Sequence, residues 1–140
     1  MANNEKKLFI ENVNVYLEKA DFSYDNIPDG ENVIKFNQQI SVLECKAESI
    51  RIRSEYIVTA DKGNAPIIYV SSISIYYLSK DSFGNFSDIS EMKDYVEERK
   101  VYLVNQAHVG AEMSKLIANI SGTYGIHPII VPPVFKEKES

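Results

Sequence analysis

Histidine and cysteine, the side chains most often found in catalytic and metal sites, are rare in this 140-residue chain, although carboxylates are plentiful. His108 and His127 are the only histidines, and Cys45 is the only cysteine. Catalysis and metal binding need partner groups at fixed spacing, and the sequence contains no HExxH, GxSxG, P-loop or dinucleotide-binding glycine pattern. We therefore predict surface or interface histidines, a structural thiol, no catalytic residue, no metal, no cofactor, and a protein that is not an enzyme.

The charged side chains also exclude several partners. The net charge is −5 and the pI is about 5.1, so nucleic acid and anionic membranes are poor partners. Arg51 and Arg53 alternate and share one strand face, which is typical of a solvated face; a phosphate contact is the alternative. The carboxylates of residues 87–98 fit a solvated helix face.

The single cysteine cannot form an intrachain disulfide, which fits a reducing compartment. The start of the sequence has no apolar signal region, and no apolar run approaches 18 residues. We expect a cytoplasmic protein without membrane insertion. Its length suits one domain over residues 1–140, with 136–140 as a short disordered tail.

The elements that would position a site are four strands followed by helices. Alternating apolar residues predict strands at about 7–20, 33–47, 50–60 and 66–78. The third and fourth strands flank a hairpin turn at 61–64. Strands first and helices afterwards indicate an α+β fold, with a four-stranded antiparallel sheet covered by a long helix on one face.

Two helices are predicted after the strands. The first is short, about 89–98, and opens with a capping box from Asp88 to Glu91. The second covers about 101–121 and ends at Gly122. The longer helix carries one apolar stripe. Its members are Val109, Met113, Leu116, Ile117 and Ile120.

The remaining unusual feature is an excess of apolar and aromatic residues. The chain has nine tyrosines and six phenylalanines. The strand at 66–78 is apolar on both faces and needs cover on both sides, one of which we expect to be another subunit. The segment "YGIHPIIVPPVF" (124–135) contains three prolines, so it fits neither a helix nor a central strand. Such residues form either the core and subunit contacts, or a surface that receives other polypeptides.

Two stretches resemble the SecB export chaperone family. "IRIRSEYIVTADKGNAPIIYVSSISIYYL" (50–78) resembles its central hairpin, and "AEMSKLIANISGTYGIHPIIVPPVF" (111–135) resembles the end of its long helix and the segment that follows. The similarity spans about residues 8–135. The matching features of the second stretch are Gly122, Thr123-Tyr124, Pro128 and Pro133-Val134-Phe135.

The resemblance implies a SecB-like domain that assembles as a homotetramer, a dimer of dimers, with the apolar stripe of the long helix at the oligomer interface. It also implies a holdase that binds unfolded polypeptides in apolar grooves without ATP, for protein export or for an aggregation-prone antitoxin of a toxin–antitoxin pair. The matching client-binding positions are Phe83, Phe86, Tyr124, Ile126, Ile129, Val131, Val134 and Phe135.

Three departures argue against handover to the SecA motor, though not against client holding. Tyr69 stands where the family has an acidic residue, only "KEKES" follows Phe135, and the helix at about 90–100 is unusually charged. Lacking a second terminal helix, residues 124–135 are expected to be more exposed than in the family. Serine at Ile129, Val131 and Phe135 is then expected to weaken client binding and leave the fold largely intact.

Two other functions stay open. The chain could be a structural or interaction protein that uses its apolar surface only to assemble. It could also be an enzyme or small-ligand carrier whose tyrosines line a closed pocket, which would show as an enclosed cavity with converging polar groups.

Overall fold

Alternation in the first half of the chain produces four long strands. The structure, a computed structural model, describes residues 7–124 and 127–136. The strands are β1 (Ile10–Phe22), β2 (Ile34–Cys45), β3 (Ser49–Ala60) and β4 (Ile68–Leu78), and they are followed by α1 (Ile89–Gln106) and α2 (Val109–Tyr124).

The strands form one antiparallel sheet in the order β1-β4-β3-β2. β3 shows how sequence sets the layers, because every second side chain is buried in the core with apolar residues of both helices. Arg51 and Arg53 point to the opposite, open face. With both helices packed on one face of the sheet, the predicted α+β architecture is confirmed.

The predicted boundary between the helices is wrong. α1 continues through residues 99–101 and ends at Gln106, since nothing in this stretch breaks a helix. The break lies at His108, whose φ of 57° is left-handed. Gly110 follows, and a side chain there would meet the backbone of Pro133. Gly122 does not end α2, which runs on to Tyr124.

The apolar stripe of α2 packs mainly inside a single chain. Val109, Met113 and Ile117 are buried in the core, and α2 lies mostly over β4. These three side chains are therefore unavailable to an oligomer interface in this conformation, which corrects the assignment made from the sequence. Leu116 and Ile120 are half-buried, and their place in an interface stays a prediction.

The open face of β4 is covered in part by its own neighbours. Ile73 pairs with Tyr16 on one side and Arg53 on the other, and it is buried. Arg53 donates to both carboxylate oxygens of Glu18 at 2.8 and 2.7 Å. This contact, with a hydrogen bond from Ser71, lowers the pKa of Glu18 to about 2.

Among the described residues, neither helix is long and apolar enough to cross a bilayer.

Candidate functional site

Residues 127–136 form an extended segment, hereafter the strap, that lies across both helices and the edge of the sheet. Its first half is held by two serines of α2. Ser121 Oγ accepts from the Ile129 N–H at 2.6 Å, and Ser114 Oγ donates to the Val131 carbonyl at 2.7 Å. Prolines are tolerated here because side chains, rather than a strand ladder, satisfy the backbone.

The second half of the strap is held by two side-chain amides. Asn105 of α1 accepts from the Phe135 N–H at 2.9 Å and donates to the Phe135 carbonyl at 3.0 Å. Gln38 of β2 donates to the Val134 carbonyl at 2.9 Å and accepts from the Lys136 N–H at 3.3 Å. We call Asn105 and Gln38 the latch, since together they pair with three consecutive residues of the strap.

The strap also buries part of its apolar content. Val131 and Phe135 are 2% and 3% exposed. The Phe135 ring lies 5.1 Å from that of Tyr56, centroid to centroid, and the Tyr56 hydroxyl donates to the Pro132 carbonyl. The extra exposure expected for this segment is thus absent at these two side chains, because Phe135 packs on the sheet and Val131 joins the same core.

The structure separates the predicted client-binding residues into three groups. Phe86, Val131 and Phe135 are in the core, and Phe83 and Ile129 are half-buried against it. Val134 is exposed. Ile126 lies outside the described residues, as does the side chain of Tyr124. A client could therefore reach Val134, Phe83 and Ile129 without rearrangement, and their role in binding stays a prediction.

An apolar groove of about 370 Å³ lies between the start of β2 and the first half of the strap. Ile34 and Phe36 form one wall, 40% and 46% exposed. Residues 127–131 form the other, with Ile130 being 75% exposed. Ile34, Phe36 and Ile130 were not among the site residues predicted from the sequence. Alternation predicts that Ile34 and Phe36 share one face of their strand. That this strand, β2, lies at the edge of the sheet follows only from the strand order.

A second groove, of about 550 Å³, lies farther along β2. Its sheet side is formed by residues 38–41, and its helix side by Glu97, Glu98, Lys100 and Val101 of α1. Phe135 and Lys136, the last two residues of the strap, complete its lining. Glu97 and Lys100 pair at 3.2 Å on its rim, so this groove is more polar than the first.

The opposite edge, β1, also carries exposed apolar residues, and they line neither of these two grooves. Val15 and Leu17 are 41% and 52% exposed on the helix side of the sheet, and Ile10 is similarly exposed. The segment at residues 7–9 is tied down, because the Phe9 N–H donates to Ser82 Oγ and its carbonyl accepts from the Ser79 N–H. These bonds join residues 7–9 to the loop before α1, in which Phe86 is buried.

The candidates for chemistry are not brought together. His108 and His127 are exposed on different segments, and Cys45 is half-buried, which raises the pKa of its thiol. Within residues 7–124 and 127–136, no three histidine, cysteine, aspartate or glutamate side chains are grouped as a metal site would require. Tyr69 lies on the open face and donates to Glu55 at 2.5 Å.

No protein family model and no characterised protein matches this chain in sequence. Its structure is similar to that of the Mycobacterium tuberculosis Rv1957 SecB-like chaperone, solved in complex with a ChAD peptide from the Rv1956 HigA1 antitoxin. The TM-score is 0.54, the match covers 89% of each chain, and the sequences are 7% identical. The chain therefore has a SecB-like fold.

Proposed function

We propose that this protein is an ATP-independent holdase chaperone that binds unfolded polypeptides along the edge strand β2. The observation that carries the proposal is the apolar groove, where Ile34, Phe36 and Ile130 are exposed on facing walls. Apolar area removed from water contributes about 25 cal/mol per Å², whatever the client sequence. Such a groove favours extended apolar segments without demanding a motif.

The client class is supported by the structural neighbour, a SecB-like chaperone bound to an antitoxin peptide. An aggregation-prone antitoxin is accordingly one proposed client, and an unfolded preprotein for export is the other. We propose a cytoplasmic homotetramer. Tyr69, in place of an acidic residue, gives no support for docking to SecA.

A second candidate function is that of an assembly protein whose apolar surface only joins subunits. The observation that favours it is the exposed row on β1, because an edge strand that exposes Val15 and Leu17 invites pairing with another chain. The two functions are compatible if β1 serves assembly and β2 serves clients. They conflict if both edges are covered in the oligomer.

The test is suppression of aggregation. The purified protein is mixed with a chemically denatured client enzyme during dilution from guanidinium, and light scattering is followed without ATP. We expect scattering to fall with increasing protein, and Phe36→Asp to weaken the effect. Leu17→Asp, at a similarly exposed apolar position on the other edge, is the matched control. Unchanged scattering at every ratio would refute the holdase function and leave the assembly function.

A further inference from the structure

The two grooves lie along the same side of one strand. Ile34 and Phe36 line the first, and residues 38–41 line the second. The strap crosses between them at Gln38, because Gln38 bonds residues 134 and 136 on either side of Phe135. Without the end of the strap, the grooves would join into one trough along residues 34–41. At about 3.3 Å per residue, that trough would be about 26 Å long.

The contacts at this crossing depend little on strap sequence. In their bonds to the strap, Asn105, Gln38 and the Tyr56 hydroxyl pair only with backbone groups, and Gln38 also donates to the Tyr56 hydroxyl at 2.9 Å. Any extended chain presents the same N–H and carbonyl groups. The one side chain that the crossing buries is Phe135, which lies against Tyr56. The strap thus shows what the crossing accepts: an extended backbone with one large apolar side chain.

The two halves of the strap are held differently. The first half bonds serines that belong to α2, the helix it follows along the chain. The second half bonds α1 and β2, the two sides of the trough. Releasing the second half would leave the serine contacts in place. A change of backbone direction between Val131 and Phe135 would be enough to move the second half of the strap out of the trough.

We propose that residues 134–136 are a displaceable gate. In this inference, which rests on the proposed holdase function, an extended apolar segment of about eight residues fills the joined trough along residues 34–41. Its backbone takes the hydrogen bonds of Asn105 and Gln38, and one of its large apolar side chains takes the place of Phe135. The gate explains how a protein with two short grooves holds a long unfolded segment.

Hydrogen exchange of the unaltered protein tests the gate. The probe is reduced, carboxymethylated α-lactalbumin, a permanently unfolded chain, and exchange is read at single amides. With the probe bound, we expect the Phe135 and Lys136 amides to lose protection and the Ile129 amide, on Ser121, to keep it. Binding with unchanged or increased protection at Phe135 and Lys136 would overturn the gate alone. Absence of binding would instead refute the holdase function.

A variant of the gate gives a second test. Phe135→Leu shrinks the side chain that the gate buries against Tyr56 and leaves Asn105 and Gln38 free to bind the client. The gate should open more often, so the Kd for the same probe should fall about threefold, as expected when the binding-competent state becomes more populated. Asn37→Ala, on the open face of β2, should leave Kd unchanged. Thermal melts of both variants verify folding. An unchanged or higher Kd for a folded Phe135→Leu protein would contradict the gate.

Discussion

The two edge strands both expose apolar side chains, but those at the start of β2 line a groove. On β2, Ile34 and Phe36 face the strap across a groove. On β1, Val15 and Leu17 are exposed on the helix side of the sheet and line neither of the two grooves described above. A concave apolar surface encloses an extended chain, whereas an open strand edge suits pairing with another strand. The exposed fractions of the apolar side chains do not tell which edge would bind a client. The groove at β2 does.

The largest expected effect comes from removing the buried end of the strap. Phe135→Ala should lower the free energy of unfolding by about 3–5 kcal/mol, because it empties a core position against Tyr56. Val134→Ala, next to it but exposed, should change that free energy by less than about 0.5 kcal/mol. Urea unfolding at one fixed protein concentration measures both. Equal changes in the free energy of unfolding for the two variants would mean that Phe135 does not hold the strap against the β2 edge.

The close approach of the strap to the helix break gives the next effect. A Cβ at Gly110 would lie 2.4 Å from the Pro133 carbonyl oxygen, so Gly110→Ala should cost about 1–3 kcal/mol of stability. At Gly84 a Cβ would have no neighbour within 4 Å, and Gly84→Ala serves as the control. If Gly110→Ala leaves the stability unchanged, the strap moves easily away from Gly110, and so does the groove wall that the strap forms.

A direct comparison of the edges uses one substitution on each. Phe36→Ser should weaken binding of an unfolded chain about tenfold, equivalent to about 1.4 kcal/mol of lost apolar contact. Leu17→Ser should leave that binding intact and reduce self-association. Fluorescence titration measures the first quantity and sedimentation the second. If the two variants exchange these effects, β1 is the client edge.

The smallest effect concerns the ion pair between β1 and β3. The pKa of Glu18 is lowered to about 2, mainly by the hydrogen bond from Arg53. A lowered folded-state pKa stabilises the protein above the unfolded-state pKa, and this stabilisation is lost as pH falls towards 2. Glu18→Gln should therefore lower the unfolding midpoint slightly at pH 7, with the difference shrinking below about pH 4.5. A constant difference down to pH 2 would contradict this assignment.

The strands were predictable because their signal is local. Alternation in β3 places Ile50 and Ile52 in the core and Arg51 outside, and the turn at 61–64 sets the β3–β4 pairing. The helix break was not predictable, because it coincides with the contact between Gly110 and Pro133. That contact joins residues far apart in the chain.

The site was predicted only in part, for a related reason. An apolar segment rich in proline must lie against something, but it has no periodicity to tell which side chains face inward. Phe135 proved buried and Val134 exposed, although the two are neighbours. Phe36 was missed because its exposure follows from the edge position of β2, which depends on strand order.

The proposed holdase function requires the β2 edge to bind unfolded chains. Its most direct test is the mass of the protein in solution with and without reduced, carboxymethylated α-lactalbumin, for the unaltered chain and for Phe36→Asp and Leu17→Asp. We expect a stable complex for the unaltered chain and for Leu17→Asp when compared at equal oligomeric state, and a much weaker one for Phe36→Asp. No complex with the unaltered chain, or an equally stable one with Phe36→Asp, would contradict it.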